Sequence, residues 1–175
     1  MKAIMISIQP KYVADILNGK KTLEIRKTLP KCKLPIEVYI YCTKDTKQGF
    51  LYKVRGAGYR LESDIDLVPP LNGKVVAKFT LNRVEEIAQV FGYTVPRETD
   101  LKPFLERACL SLKELNTYLK HKHGYAWHID NLVVFDKPKE ISEFKTTQRI
   151  RYANLGFTEI KPLTRAPQSW CYCEV

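Results

Sequence analysis

The sequence predicts an α+β fold in which short strands outnumber short helices. Three observations carry the prediction. Apolar-rich runs whose side chains sort by alternation onto two faces mark strands at residues 2–8, 36–42 and 125–135. Helix-start chemistry marks two short helices, at Pro10 and at Ser111-Leu112-Lys113-Glu114. Between them, Gly, Pro and Asn punctuate the chain at short intervals. With 175 residues and 45% hydrophobic content, one domain over residues 1–175 can bury a core without disulfides or a metal.

In order, residues 2–8 form a buried strand with Ile4, Ile6 and Ile8 on one face and Ala3, Met5 and Ser7 on the other. Pro10 opens a helix through Leu17, and Asn18-Gly19 ends it, because Gly takes the left-handed conformation at little cost. Residues 21–27 read as a strand, followed by a basic loop with prolines near both ends. Residues 36–42 turn Ile36, Val38, Ile40 and Cys42 inward and leave Glu37, Tyr39 and Tyr41 opposite. Residues 43–72 are expected to be a long loop insertion, with Tyr52 to Arg60 mixing aromatics and cations and Glu62, Asp64 and Asp66 acidic. A strand over about 73–84 follows, then a helical reading of 85–90. Asp100 is expected to cap a helix through Cys109, and the capping box at Ser111 a helix to about His121. Residues 125–135 form one strand ended by Asp136-Lys137-Pro138, and 141–144 a helical turn. Residues 145–167 are expected to be a second long insertion before a closing strand that starts at Trp170.

The formal charge of +10 suits a polyanionic partner such as nucleic acid. The excess is uneven: residues 51–100 are balanced, whereas residues 20–33 set Lys20, Lys21, Arg26, Lys27, Lys31 and Lys33 against Glu24 alone. Five cysteines at irregular spacing argue against a disulfide framework and for a reducing compartment. No apolar run approaches a membrane span, and a cytoplasmic location is expected. Neither His121-x-His123 nor Cys171-x-Cys173 completes a metal site, so no metal and no cofactor is expected.

On the motif strand, alternation puts Thr22, Glu24 and Arg26 on one face and Lys21, Leu23 and Ile25 on the other. A hydroxyl, a carboxylate and a guanidinium converge, either as a site or as a solvated strand face. Tyr39, Tyr41 and Trp170 can stack on bases or pack in a core. His128 and Asp130 share a face and can pair for proton transfer or for structure.

The stretch Gly19-x-Lys21-x-x-Glu24-x-Arg26 resembles the G-x-K-x-x-E-x-R signature of the ASCH domains, a branch of the PUA-like superfamily, and falls between a first helix and second strand as theirs does. The closing W-C-Y-C-E-V resembles the ending of stand-alone bacterial and phage ASCH proteins. The resemblance implies a small PUA-like mixed β-barrel with helices packed at its ends, and a cleft receiving RNA or a nucleoside-like ligand. The ligand-binding set it implies is Gly19, Lys20, Lys21, Thr22, Glu24 and Arg26, with Tyr39, Tyr41, His128 and Trp170 beside it. It also implies two hydrolase alternatives in which Lys21 and Glu24 are the catalytic candidates. One is a ribonuclease drawing on Lys21, Arg26 and His128. The other is an amidohydrolase on N4-acylated cytidine, which uses a lysine, a threonine and a glutamate; here Glu24 stands at the threonine position, Thr22 is the nearby hydroxyl and Glu106 the nearest match to the glutamate. A transcription-associated protein-interaction domain is the third class, favoured by an exposed apolar patch on the final strand.

Overall fold

A computed structural model describes residues 2–63, 69–152 and 155–175, without the side chains of residues 148–157. Its elements begin with β1 (Lys2–Ile8), α1 (Pro10–Leu17), β2 (Leu23–Arg26), β3 (Ile36–Cys42), β4 (Phe50–Val54) and β5 (Gly58–Glu62). The middle holds β6 (Val75–Leu81), β7 (Val84–Val90), β8 (Tyr93–Pro96), α2 (Leu101–Ala108) and α3 (Leu112–Leu119). The chain closes with β9 (Gly124–His128), β10 (Asp130–Lys139), a single 3-10 turn at Ile141–Glu143, β11 (Lys145–Tyr152), β12 (Leu155–Pro162) and β13 (Trp170–Glu174).

The fold is mixed α+β. Its strands form three sheets, of order β10-β6-β3-β1-β13-β11-β12, β2-β9-β7-β8 and β4-β5. Among the described residues none of these sheets closes on itself, so the structure shows the mixed α+β class and not the closed sheet of the expected small β-barrel. At the centre, β1 runs parallel to β3, with Ile4 opposite Val38, and antiparallel to β13, with Met5 opposite Cys171. The period-2 pattern of β1 decides which core each side chain joins. Ile4, Ile6 and Ile8 enter a core with Val38, Ile40, Phe79, Leu81, Trp127 and the α1 residues Val13, Ile16 and Leu17. Ala3 and Met5 enter a second with Tyr39, Tyr41, Val75, Phe144 and Cys173. A third core lies under α2 and α3, where Phe104, Leu115 and Leu119 cover Leu23, Ile25 and Ala126. Ala126 enters this third core while its neighbour Trp127, fully buried, enters the first, so β9 joins them.

Several expectations are revised. Residues 43–72 hold the β4-β5 hairpin, closed by Ala57 N to Val54 O at 3.1 Å; the acidic Asp64 and Asp66 lie outside the described residues. Residues 145–167 likewise hold the β11-β12 hairpin in continuous register. Residues 84–90 are a strand, not a helix, because β7 pairs with both β8 and β9. The single strand expected over 125–135 is two: β9 pairs with β2 and β10 with β6, and β10 runs through Pro138 as an edge strand, where a proline costs no ladder bond. The capping box at Ser111 is present in full, with Glu114 N to Ser111 Oγ at 3.2 Å and Ser111 N to Glu114 Oε2 at 2.8 Å. Asp100 precedes α2 but its side chain makes no capping bond. All five cysteines are free thiols, and burial pushes those of Cys42 and Cys173 up to about 12.

Candidate functional site

The turn after α1 aims the motif. Gly19 sits at φ +74 with open space where a Cβ would be, and its amide bonds Ile16 O at 2.9 Å. The amides of Lys20 and Lys21 both bond Asp15 O, at 2.8 and 3.0 Å. The tight turn leaves Gly19 and the Lys20 side chain exposed and drives Lys21 inward. Asn18 braces it by exchanging two side-chain bonds with Tyr59 of β5, at 2.8 and 2.9 Å.

Lys21, Glu24 and Arg26 meet beneath the surface, with exposures of 3%, 6% and 7%. Glu24 lies between the cations, Oε2 at 3.4 Å from Lys21 Nζ and Oε1 at 3.2 Å from Arg26. Lys21 Nζ donates to Ala108 O at 2.6 Å, at the C-terminus of α2 where the helix dipole is negative, and lies 5.1 Å from the centre of the Tyr12 ring. Arg26 donates to Ser7 O at 2.7 Å. Ser7 in turn bonds the segment before β13, Oγ to Pro167 O at 2.7 Å and N to Ser169 O at 2.9 Å. Alternation puts Lys21 on the opposite face from Glu24. The structure puts them together, because β2 begins only at Leu23 and the turn, not the pleat, orients Lys21.

Above this trio lies a cavity of about 840 Å³. Tyr12 from α1, Tyr41 from β3, and Glu114 and Tyr118 from α3 line it, and the 164–169 segment closes one side. Burial is the first cause of the raised pKa of both Tyr12 and Tyr41, so both hydroxyls stay protonated near neutral pH. Lys27 lies 5.0 Å from the Tyr118 ring at the rim. Two polar atoms of the trio, Glu24 Oε2 and Arg26 Nε, are buried without a hydrogen-bond partner. The trio therefore keeps one acceptor and one donor unspent, and carries two positive charges against one negative.

Of the residues proposed from sequence, Lys21, Glu24, Arg26 and Tyr41 converge here. Tyr39 does not; it packs edge-on against Phe144 at 4.9 Å and donates to Glu37 at 3.1 Å. Trp170 packs on Trp127 and Tyr172, and its indole donates to Thr28 at 3.0 Å. Thr22 points away from the cavity and accepts from Arg107 Nε at 3.2 Å. His128 belongs to that same outer group, with Nδ1 3.1 Å from Arg83 and 3.3 Å from Arg107. The expected His128-Asp130 pair is absent, because Asp130 accepts from Asn82 at 3.0 Å across the β9-β10 break. Sequence reasoning missed Ser7, Tyr12 and Tyr118. A tyrosine among the polar residues of an amphipathic helix was the available signal for the last two.

No protein-family model matches the chain. A curated protein of Zymomonas mobilis named ASCH domain-containing ribonuclease is 38% identical over 53 residues. That match covers 29% of this chain and 36% of the relative, so the chain spans about a third of the curated protein it matches. In structure, an ASCH crystal structure from Zymomonas mobilis aligns with a TM-score of 0.56 at 17% identity, covering 97% of this chain and 86% of that one. A tyrosine-to-phenylalanine variant of the Zymomonas mobilis protein aligns with a TM-score of 0.54 at 18% identity, covering 98% and 90%. No described helix is long and apolar enough to cross a membrane. The chain thus shares the fold of the Zymomonas mobilis ASCH structures over nearly its whole length, and shares a 53-residue stretch of sequence with the curated ASCH domain-containing ribonuclease.

Proposed function

We propose that the protein binds single-stranded RNA, with one nucleotide entering the cavity over Lys21, Glu24 and Arg26 and its flanking phosphates lying on Lys20, Lys27, Lys31 and Lys33. The observation that carries this reading is a buried trio with an excess positive charge under a cavity of nucleotide size. Burying charge is costly unless a partner meets it, and a ligand that brings negative charge and a mixed donor-acceptor edge meets it fully. Tyr12, Tyr41 and Tyr118 supply rings for base stacking, a mode that tolerates sequence. A nucleoside-like small molecule is the lesser form of the same reading.

The test is a fluorescence titration of single-stranded RNA at two salt concentrations, with Lys21→Met and a paired Lys31→Gln/Lys33→Gln variant. Lys21→Met keeps the stem's packing and leaves Glu24 paired with Arg26, so it separates the site from the fold. Expected results are salt-sensitive binding, lost in Lys21→Met and weakened with a smaller salt slope in the surface variant. Equal affinity in all three proteins sinks the proposal.

A second reading, ribonuclease, has one specific support: the curated relative bears that name. Here Lys21 and Arg26 offset the charge that builds on a phosphate under attack, and the same titration followed by gel analysis of the RNA tests it. The amidohydrolase reading loses its hydroxyl, since Thr22 faces Arg107 outside the cavity.

A further inference from the structure

The outer group around His128 has more donors than its neighbours can accept. Arg83 and Arg107 both direct an NH2 at one atom, His128 Nδ1, at 3.1 and 3.3 Å. A neutral imidazole nitrogen offers a single in-plane lone pair, so it satisfies one guanidinium well and the other poorly. His128 is 3% exposed, and burial first, then Arg83 and Arg107, lower its pKa, which keeps the ring an acceptor at neutral pH. Its other nitrogen, Nε2, is buried with no partner. Arg107 is further fixed by donating Nε to Thr22 Oγ1 at 3.2 Å, which frees the Thr22 hydroxyl proton to donate elsewhere.

The nearest carboxylates are committed elsewhere. Glu85 accepts from the amides of Glu98 and Thr99 and from the Thr99 hydroxyl, at 2.8 to 2.9 Å. Asp130 accepts from Asn82. Among the described residues neither Arg83 nor Arg107 has an ion-pair partner. The cluster is nevertheless fixed in the main chain: Thr22 N bonds Arg107 O at 2.9 Å, His128 N bonds Arg83 O at 3.1 Å, and Ile129 N bonds Thr22 O at 3.0 Å. The end of α2, the end of β9 and the connections before β2 and β7 thus hold two guanidiniums side by side, with like charges facing and only a neutral ring between them.

We propose that Arg83, Arg107 and Thr22 form a second anion site, separate from the motif cavity, that takes a phosphate group. A tetrahedral oxyanion supplies several acceptor oxygens to the forks of two arginines and to a hydroxyl, and cancels their mutual repulsion. Arg83 is exposed and Arg107 half-buried, so a phosphate reaches the pair from solvent. The phosphate is either part of a polynucleotide backbone or free in solution, and the chemistry of the site is the same for both.

The experiment is a titration of the full chain with inorganic phosphate, followed by amide NMR shifts and by melting temperature, in wild type, Arg83→Gln and a control at the exposed Lys122, Lys122→Gln. No RNA is present, so the outcome is independent of the cleft reading. The expected result is saturable shifts at Thr22, Arg107, His128 and Ile129, and a melting temperature that rises with phosphate in wild type and in Lys122→Gln but not in Arg83→Gln. Shifts that scatter over the basic loop, or a rise undiminished in Arg83→Gln, overturn the proposal. Adding a single-stranded oligonucleotide to the phosphate-loaded protein then separates the sources. Displacement of phosphate assigns the site to the backbone of a polynucleotide, and coexistence assigns it to free phosphate.

Discussion

Glu24 neutralises two buried cations at once, so its substitutions fall in a definite order. Glu24→Ala leaves Lys21 and Arg26 facing each other without a counter-charge, and losing one partner of a buried ion pair costs about 3–5 kcal/mol. Lys21→Met leaves a neutral Glu24-Arg26 pair and one vacated carbonyl, and should cost clearly less; urea denaturation orders the two, and equal losses would refute the assignment. His128 gives a pH signature. Burial holds its folded pKa below the ordinary imidazole value of 6.5, so above that pH both folded and unfolded chains hold it neutral and it adds nothing. Below about 6.5 the unfolded chain binds the proton first, and stability falls as the pH drops toward the folded pKa. Melting temperatures from pH 8 to pH 5 should therefore fall less steeply in His128→Gln, whose amide oxygen still accepts from the arginines. Parallel curves would show that His128 is not the group responsible.

Among the elements, α3 and β9 show what holds the roof of the cavity in place. Ser111→Ala removes the acceptor for the Glu114 amide and should cost about 1 kcal/mol, loosening the helix that carries Tyr118. Gly124→Ala would set a Cβ 2.5 Å from Leu119 Cδ2, where α3 meets the start of β9, and overpacking of that kind costs about 1–3 kcal/mol. Thermal denaturation of both variants checks these values. What was legible at this scale followed local rules. The period-2 runs of β1 and β3 sort their residues between two cores as read, and the Ser111 capping box needs only four consecutive residues. The two hairpins, β4-β5 and β11-β12, escaped notice because cations and hydroxyls are interspersed through both, so the apolar residues that anchor the first, Leu51 and Leu61, stand singly in its strands. The β9-β10 break at Ile129 escaped for the opposite reason: the pattern runs unbroken through a change of sheet. In the site, Lys21, Glu24 and Arg26 were legible from the motif's spelling, but their grouping depends on a turn that alternation ignores, and Ser7 and Tyr12 arrive from other elements.

For the whole molecule, the net charge of +10 and the open cavity make ionic strength the first variable to test. Each phosphate contact made to a single strand adds about 0.7 to the slope of log affinity against log salt, and deleting one surface lysine should remove about that much. A slope unchanged in Lys31→Gln/Lys33→Gln would place the RNA path elsewhere. Assembly of the site also has an order in time. Arg26 is anchored by Ser7, and Ser7 by Pro167 and Ser169, so the motif is completed by residues made about 140 positions after it. A chain halted before Pro167 already contains the entire motif, yet β1 lacks its β13 neighbour and Ser7 lacks its anchors. Synthesis must pass Ser169 before Ser7 and the arginine it holds have their fixed places, so a chain interrupted earlier carries the charges of the motif without the frame that orders them.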